Sequence, residues 1–98
     1  MSTDISLLVG QEHILTCPYC KSTYMHQSKI EIFDRAEDDK QGNHVVVEGD
    51  NISVDRSMIG NPSARRQGLR IFFSCEGCNE EPKLAVTQHK GQTVLMFE

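Results

Sequence analysis

Tryptophan is absent from this chain, and aromatic residues are sparse, with four Phe and two Tyr among 98 residues. Hydrophobic residues make up only 38%, so the core on offer is thin. Domains this poor in apolar mass usually carry a covalent or metal cross-link that offsets the entropy lost on ordering their loops. Long apolar runs are missing too. Nothing approaches the ~18 consecutive apolar residues of a membrane span. Leu7-Leu8-Val9 is too short for a signal-peptide core, and Met1-Ser2-Thr3-Asp4 carries an acid and no base. A cytoplasmic, non-membrane protein is the expectation. An excess of positive charge is also lacking: 14 acids against 10 bases give a net charge of −4, whereas a protein devoted to phosphate backbones normally has the opposite sign. There is no Gly-x-Ser-x-Gly, no phosphate-cradling glycine loop and no His-Glu-x-x-His.

The length suits one domain over residues 1–98. Strand signals dominate. Ile30-Glu31-Ile32-Phe33 begins with the alternation of a half-buried strand, and Arg35 to Asn43 is charged, ends in Gly-Asn and reads as an exposed loop. A two-residue turn at Gly49-Asp50 would pair Val47 with Ile52 and Val45 with Val54 on one face. Asn61-Pro62 through Gly68 has an N-cap residue, a proline at the first helical position and a terminal glycine, which allows one or two helical turns. Ile71-Phe72-Phe73 is a strand by its β-branched and aromatic content. A second hairpin turning at Lys90-Gly91 pairs Val86 with Leu95 and Leu84 with Phe97. The expected fold is mostly β, with little or no helix.

All four cysteines fall into two Cys-x-x-Cys pairs, Cys17-Pro18-Tyr19-Cys20 and Cys75-Glu76-Gly77-Cys78. A two-residue spacer folds into a tight knuckle with both sulfurs aimed at one ion, and two knuckles supply the four-sulfur tetrahedron of a closed structural zinc site. Pro18 presets φ in the first turn, and Gly77 would permit an unusual φ in the second. In a reducing compartment thiols read as metal ligands before disulfides, and a thioredoxin-like redox pair would need a βαβ setting. Iron in a rubredoxin-type site is the alternative metal, because tetrahedral sulfur suits both.

These knuckles resemble the zinc-ribbon family, and the chain is also similar to small bacterial and phage zinc-ribbon proteins. The first knuckle has the family's Cys-Pro-x-Cys form, although the glycine often found after the second Cys is Lys21 here and Asn79 in the second knuckle. The resemblance implies hairpin tips clamping one zinc, with His13 to Thr16 and Phe72 to Ser74 entering the knuckles as strands. Residues 21–74 separate the knuckles, against the common ~15–20. Closing a loop about three times longer costs only about 1 kcal/mol more, whereas structural zinc in finger peptides contributes ~10–16 kcal/mol. The expected architecture is a ribbon enlarged by an inserted hairpin, the insertion covering about residues 30–68.

His13, His26, His44 and His89 have no helical metal-binding spacing and read as surface or strand-face residues. Tyr19 and Tyr24 lie in and near the first knuckle, either as exposed anchors or as shields of the metal. Glu37-Asp38-Asp39 reads as a solvated loop or a contact for a basic partner. Arg65, Arg66 and Arg70 form the one concentrated basic feature: they would clamp phosphates, with Phe72 or Tyr19 stacking on bases, or Arg65 and Arg66 would complement the end of a short helical turn. Glu76, Glu80 and Glu81 make the second knuckle acidic. With every cysteine committed to metal there is no visible nucleophile, so no catalytic residue and no enzyme is expected. The leading reading is a module binding or regulating a protein partner. A nucleic-acid-binding ribbon using Arg65, Arg66 and Arg70 is the alternative. Oligomeric state is not legible.

Overall fold

Two tight turns set the outer strands. Gly49, at φ 59°, opens the turn after Glu48, while Lys90 and Gly91, at φ 49° and 81°, form the turn before the last strand; positive φ at these positions matches the right-handed twist of the strands they join. In the computed structural model, which describes residues 7–98, the elements are β1 (Met25–Asp34), β2 (Gln41–Glu48), β3 (Asn51–Ser57), β4 (Gly68–Cys75), β5 (Lys83–His89) and β6 (Gln92–Phe97). All six belong to one sheet in the order β3-β2-β1-β4-β5-β6, with antiparallel neighbours throughout. The chain is all-β, and no helix occurs among the described residues. No helix long and apolar enough to cross a membrane occurs among the described residues; Met1 to Asp4, read above for a leader, lie outside them.

Both expected hairpin registers are observed: Val47 opposite Ile52, Val45 opposite Val54, Leu84 opposite Phe97 and Val86 opposite Leu95. Other expectations need correction. Residues 61–67 form a bent loop without helical turns, because their donors go elsewhere. Asn61 Nδ2 donates to the Arg66 carbonyl, and its Oδ1 accepts from the Ser63 amide at 2.9 Å. The buried Ser63 hydroxyl accepts from the Gln88 amide and donates to the Gln67 carbonyl. His13 to Thr16 are not a strand, and Gln41 to Asn43 lie in β2 rather than in the preceding loop. β1 runs well beyond residues 30–33 and carries an irregularity between Gln27 and Lys29.

Strand alternation divides the side chains between two unlike faces. On one, register carries two apolar rows across all six strands, Ile52-Val47-Ile30-Ile71-Leu84-Phe97 and Val54-Val45-Ile32-Leu69-Val86-Leu95. None of these twelve is buried. The opposite face holds Phe33 and Ala85, at 1% and 0% exposure, and residues 58–67 pass over it, Gly60 lying against the Phe33 ring and its carbonyl accepting from Arg70. Phe73 and Pro82 are buried near the cysteines, joined by an amide-to-carbonyl bond of 2.9 Å.

A ladder of charges runs across the second face. His44 stacks on its cross-strand partner Phe33, centroids 4.4 Å apart and planes 10° from parallel. Its Nδ1 meets Asp55 at 3.0 Å and its Nε2 meets Glu31 at 2.8 Å. Glu31 also accepts from Arg70 Nη1 at 2.8 Å, and Arg70 Nε reaches Glu98. Burial disfavours the His44 cation, but the Glu31 and Asp55 hydrogen bonds outweigh it and raise its pKa above the ordinary 6.5. The Ser57 amide and His44 lower that of Asp55.

With a raised folded-state pKa, the His44 contribution is fully present below its unfolded value and is lost as pH rises through the folded one. The melting-temperature advantage of wild type over His44→Phe, which keeps the stacked ring and removes the charge, should therefore be largest just below pH 6.5 and shrink at alkaline pH. Calorimetry giving a pH-independent difference would refute a charged His44 in the folded chain.

Candidate metal centre

Antiparallel pairing of β1 with β4 assembles the site. The first knuckle leads into the start of β1 and the second leaves the end of β4, and these ends are neighbours, with Met25 opposite Cys75. The Cys17 amide donates to the Ser22 carbonyl at 2.8 Å, and the Lys21 amide to the Cys17 carbonyl at 3.0 Å. Lys21 adopts φ 69°, the left-handed conformation that favours glycine and costs another L-residue about 1–2 kcal/mol. The Glu76 amide donates to the Tyr24 carbonyl at 3.0 Å, which ties the second knuckle to the chain leaving the first.

Gly77 has a different role from the expected one. Its φ is not positive, and neither is that of Asn79. A Cβ on Gly77 would instead lie 2.9 Å from Cys20 Sγ and 2.9 Å from Ser22 Cβ. Lack of a side chain lets the knuckles close on each other.

The four sulfurs lie within 4.8 Å of one another. Cys17 and Cys78 are 3.9 Å apart and Cys20 and Cys75 3.5 Å, while a tetrahedron with metal–sulfur bonds of ~2.3 Å separates its corners by about 3.8 Å. The Gly77 amide donates to Cys75 Sγ at 3.3 Å, and the backbone amides of Cys20 and Tyr19 beside Cys17, of Ser22 beside Cys20 and of Glu80 beside Cys78 favour the thiolate at those sulfurs. Pro18 stands at a position whose missing amide is not among these donors. Such donors stabilise thiolates, so the shell favours the ionised, metal-ligating form.

Alone, the sulfurs cannot share that preference. Burial opposes ionisation of Cys17, which is fully buried, yet the Cys20 and Tyr19 amides and the Cys75 thiol bring its pKa down to about 7. For Cys78 the Glu80 amide favours the thiolate, but desolvation and the facing Cys20, Cys75 and Cys17 sulfurs push it up to about 12. The Cys20 thiol is also raised: the Ser22 amide pulls it down, and burial and the neighbouring sulfurs outweigh that pull. One thiolate forms readily and its neighbours pay in repulsion. A cation at the centre removes that conflict, and the donor set fits one with tetrahedral sulfur preference.

No histidine belongs to this cluster. His26 pairs with Glu76, and His44 belongs to the ladder described above. Tyr19 and Tyr24 are both exposed, at 53% and 67%. The three arginines do not converge on a free basic patch. Arg65 makes a two-pronged bond to Asp38, 2.7 Å on each side, Arg66 meets Glu37 at 2.8 Å, and Arg70 lies between Glu31 and Glu98. Arg65 and Arg66 thus answer the Glu37-Asp38 loop instead of a helix end. The Asp38 carboxyl is lowered by Arg65, whose own pKa rises in turn. Arg35 was legible only as part of a loop, yet its guanidinium donates to the carbonyls of Arg66, Ser63 and Asp39 and pins both loops together; a lone arginine in a charged run carries no signal of this.

Cys75→Ser should abolish stoichiometric metal binding and cooperative unfolding, whereas His89→Ala should change neither. Gly77→Ala should weaken metal retention against a competing chelator at least ~10-fold, since a 2.9 Å approach forces the knuckles apart. Lys21→Gly should leave metal content intact and raise the melting temperature slightly, as relief of left-handed strain exceeds the added unfolded-state entropy. Elemental analysis and chelator titration of the variants read all three. Compared with protein-family models, curated proteins and solved structures, the chain has no match in any of the three.

Proposed function

We propose that this chain is a non-enzymatic, cytoplasmic zinc-binding module, in which Cys17, Cys20, Cys75 and Cys78 hold one structural zinc and the sheet so anchored binds or regulates a protein partner. The observation that carries this reading is the convergence of two chain-distant knuckles into one cluster whose four sulfurs lie within 4.8 Å of one another. Four thiolates complete a tetrahedron, so the bound ion would have no open position for water or substrate and would act as a cross-link. Zinc is preferred to iron because closed four-cysteine sites of two knuckles are its usual structural form. The zinc-ribbon likeness is supported by the second knuckle, which sits where β4 turns back into β5; the first departs from it, since no strand of the described chain enters it.

A protein partner is favoured over nucleic acid by electrostatics. Net charge is −4, Glu76, Glu80 and Glu81 surround the second knuckle, and each of Arg65, Arg66 and Arg70 is already engaged by a carboxylate. Releasing those arginines to phosphate would exchange one set of charge-assisted bonds for another, which leaves little net gain.

Protein purified without chelator should contain one zinc per chain by elemental analysis, colourless rather than iron-red, and should lose its thermal transition when zinc is stripped. Absence of both zinc and iron overturns the metal assignment. Affinity capture with zinc-loaded protein should recover a protein whose binding is insensitive to nuclease. Binding to DNA or RNA at ~150 mM salt, with a log–log salt slope of roughly −2 to −3 that disappears on substituting the three arginines, would replace the protein-partner reading.

A further inference from the structure

The apolar face of the sheet is the largest feature that the metal site leaves unexplained. A domain normally buries each sheet face against a second layer, and here one face has the loop of residues 58–67, whereas among the described residues no strand or helix forms a layer over the two apolar rows of the other. Ile52, Val54, Leu95 and Ile32 are 70%, 64%, 53% and 38% exposed.

We infer that this face is the interface of a homodimer in which two sheets stack through their apolar rows to form a β-sandwich. Area is the first argument. Six strands ~4.8 Å apart, each presenting two apolar residues and one polar residue on this face, make a band of ~29 by ~20 Å, roughly 600 Å² per partner, which over two partners reaches the lower bound of about 1,200 Å² for a stable interface. Self-complementarity is the second. A two-fold dimer places the same patch against itself, so any charge within it would meet its own copy; the two rows contain no charged or polar residue. Anatomy is the third. Two residues beyond the second row, alternation places Arg56, Asn43, Asp34, Gln67, Gln88 and Thr93 on the same face, and they satisfy one another in pairs: Arg56 with Asn43 at 2.9 Å, Gln67 with Asp34 at 3.5 Å and Gln88 with Thr93 at 2.7 Å. This is the polar rim that borders a desolvated centre.

The chain's own exposed arm, including Leu7, Leu8 and Val9, is a poorer cover. One extended segment lies along a single row, and the band has two. A shallow groove of about 530 Å³ follows the Val54-to-Val86 row, which suits the interdigitation of side chains from a facing sheet ~10 Å away.

Sedimentation equilibrium of the zinc-loaded full chain at micromolar concentrations should give twice the 11.1 kDa chain mass. Val54→Asp combined with Leu95→Asp, both at positions already open to water in one chain, should preserve strand content and metal stoichiometry while raising the dimer dissociation constant at least ~100-fold. Met96→Asp is the control: it lies beside Leu95 on the opposite face, is 56% exposed, and should leave the dimer intact. Val45→Asp, at the middle of the band, should dissociate the dimer further or fail to fold. A folded, metal-replete wild type that stays monomeric overturns the dimer while leaving the metal reading in place. So does a dimer that survives the paired substitution or dissociates with Met96→Asp, and so does a stoichiometric foreign protein found on this face.

Discussion

The pairing of β1 with β4 is the constraint on which the rest of the molecule depends. It is the central seam of the sheet, it joins segments separated by the whole β2–β3 hairpin and the 58–67 loop, and it alone brings residues 17–20 beside residues 75–78. A metal ion held there would fasten the seam at one end, where the cross-strand neighbours are Met25 and Cys75. At the other end Phe33 lies opposite Gly68, and the fastening is done by packing and charge: Phe33 under His44 and Gly60, Glu31 shared by His44 and Arg70, Arg35 holding two loops by their carbonyls. The central pair is thus secured at one end by means that use little apolar mass, and a bound ion would secure the other.

Charge balance explains why the one basic run is not a patch. Arg65 and Arg66 are adjacent in sequence, as are Glu37 and Asp38, and the two loops that carry them are brought together by the same seam. Most of these groups are exposed, so their value to stability is small in water. Their effect on recognition is larger, because phosphate would have to compete with carboxylates already in place.

Much of the fold was legible from local chemistry. Val45, Val47, Ile52 and Val54 around Gly49-Asp50, and Leu84, Val86, Leu95 and Phe97 around Lys90-Gly91, specify turn and register within short stretches of the chain, and both are observed as read. The convergence of the four cysteines was legible because Cys-x-x-Cys has few other uses in a reducing setting. What was not legible depends on distant neighbours. Asn61-Pro62 has the chemistry of a helix start, but Asn61 and Ser63 spend their hydrogen bonds on the loop and on Gln88, which local sequence cannot foresee. Gly77 was read as a φ requirement when its constraint is the approach of Cys20 and Ser22 from another part of the chain. Arg65 and Arg66 looked unpaired because their partners lie 27 and 29 residues away.

The topology also divides the chain by time. β2–β3 and β5–β6 are hairpins closed by two-residue turns, and such units form in about 1–10 μs. The β1–β4 seam must first close a long loop before any of its contacts repay the lost entropy, and contacts of that range set the slow step in β proteins. The cysteine pairs lie at the end of this seam. An ion that binds all four sulfurs would therefore be captured only as the seam closes, and the rate at which the chain folds would then depend on how much free metal surrounds it.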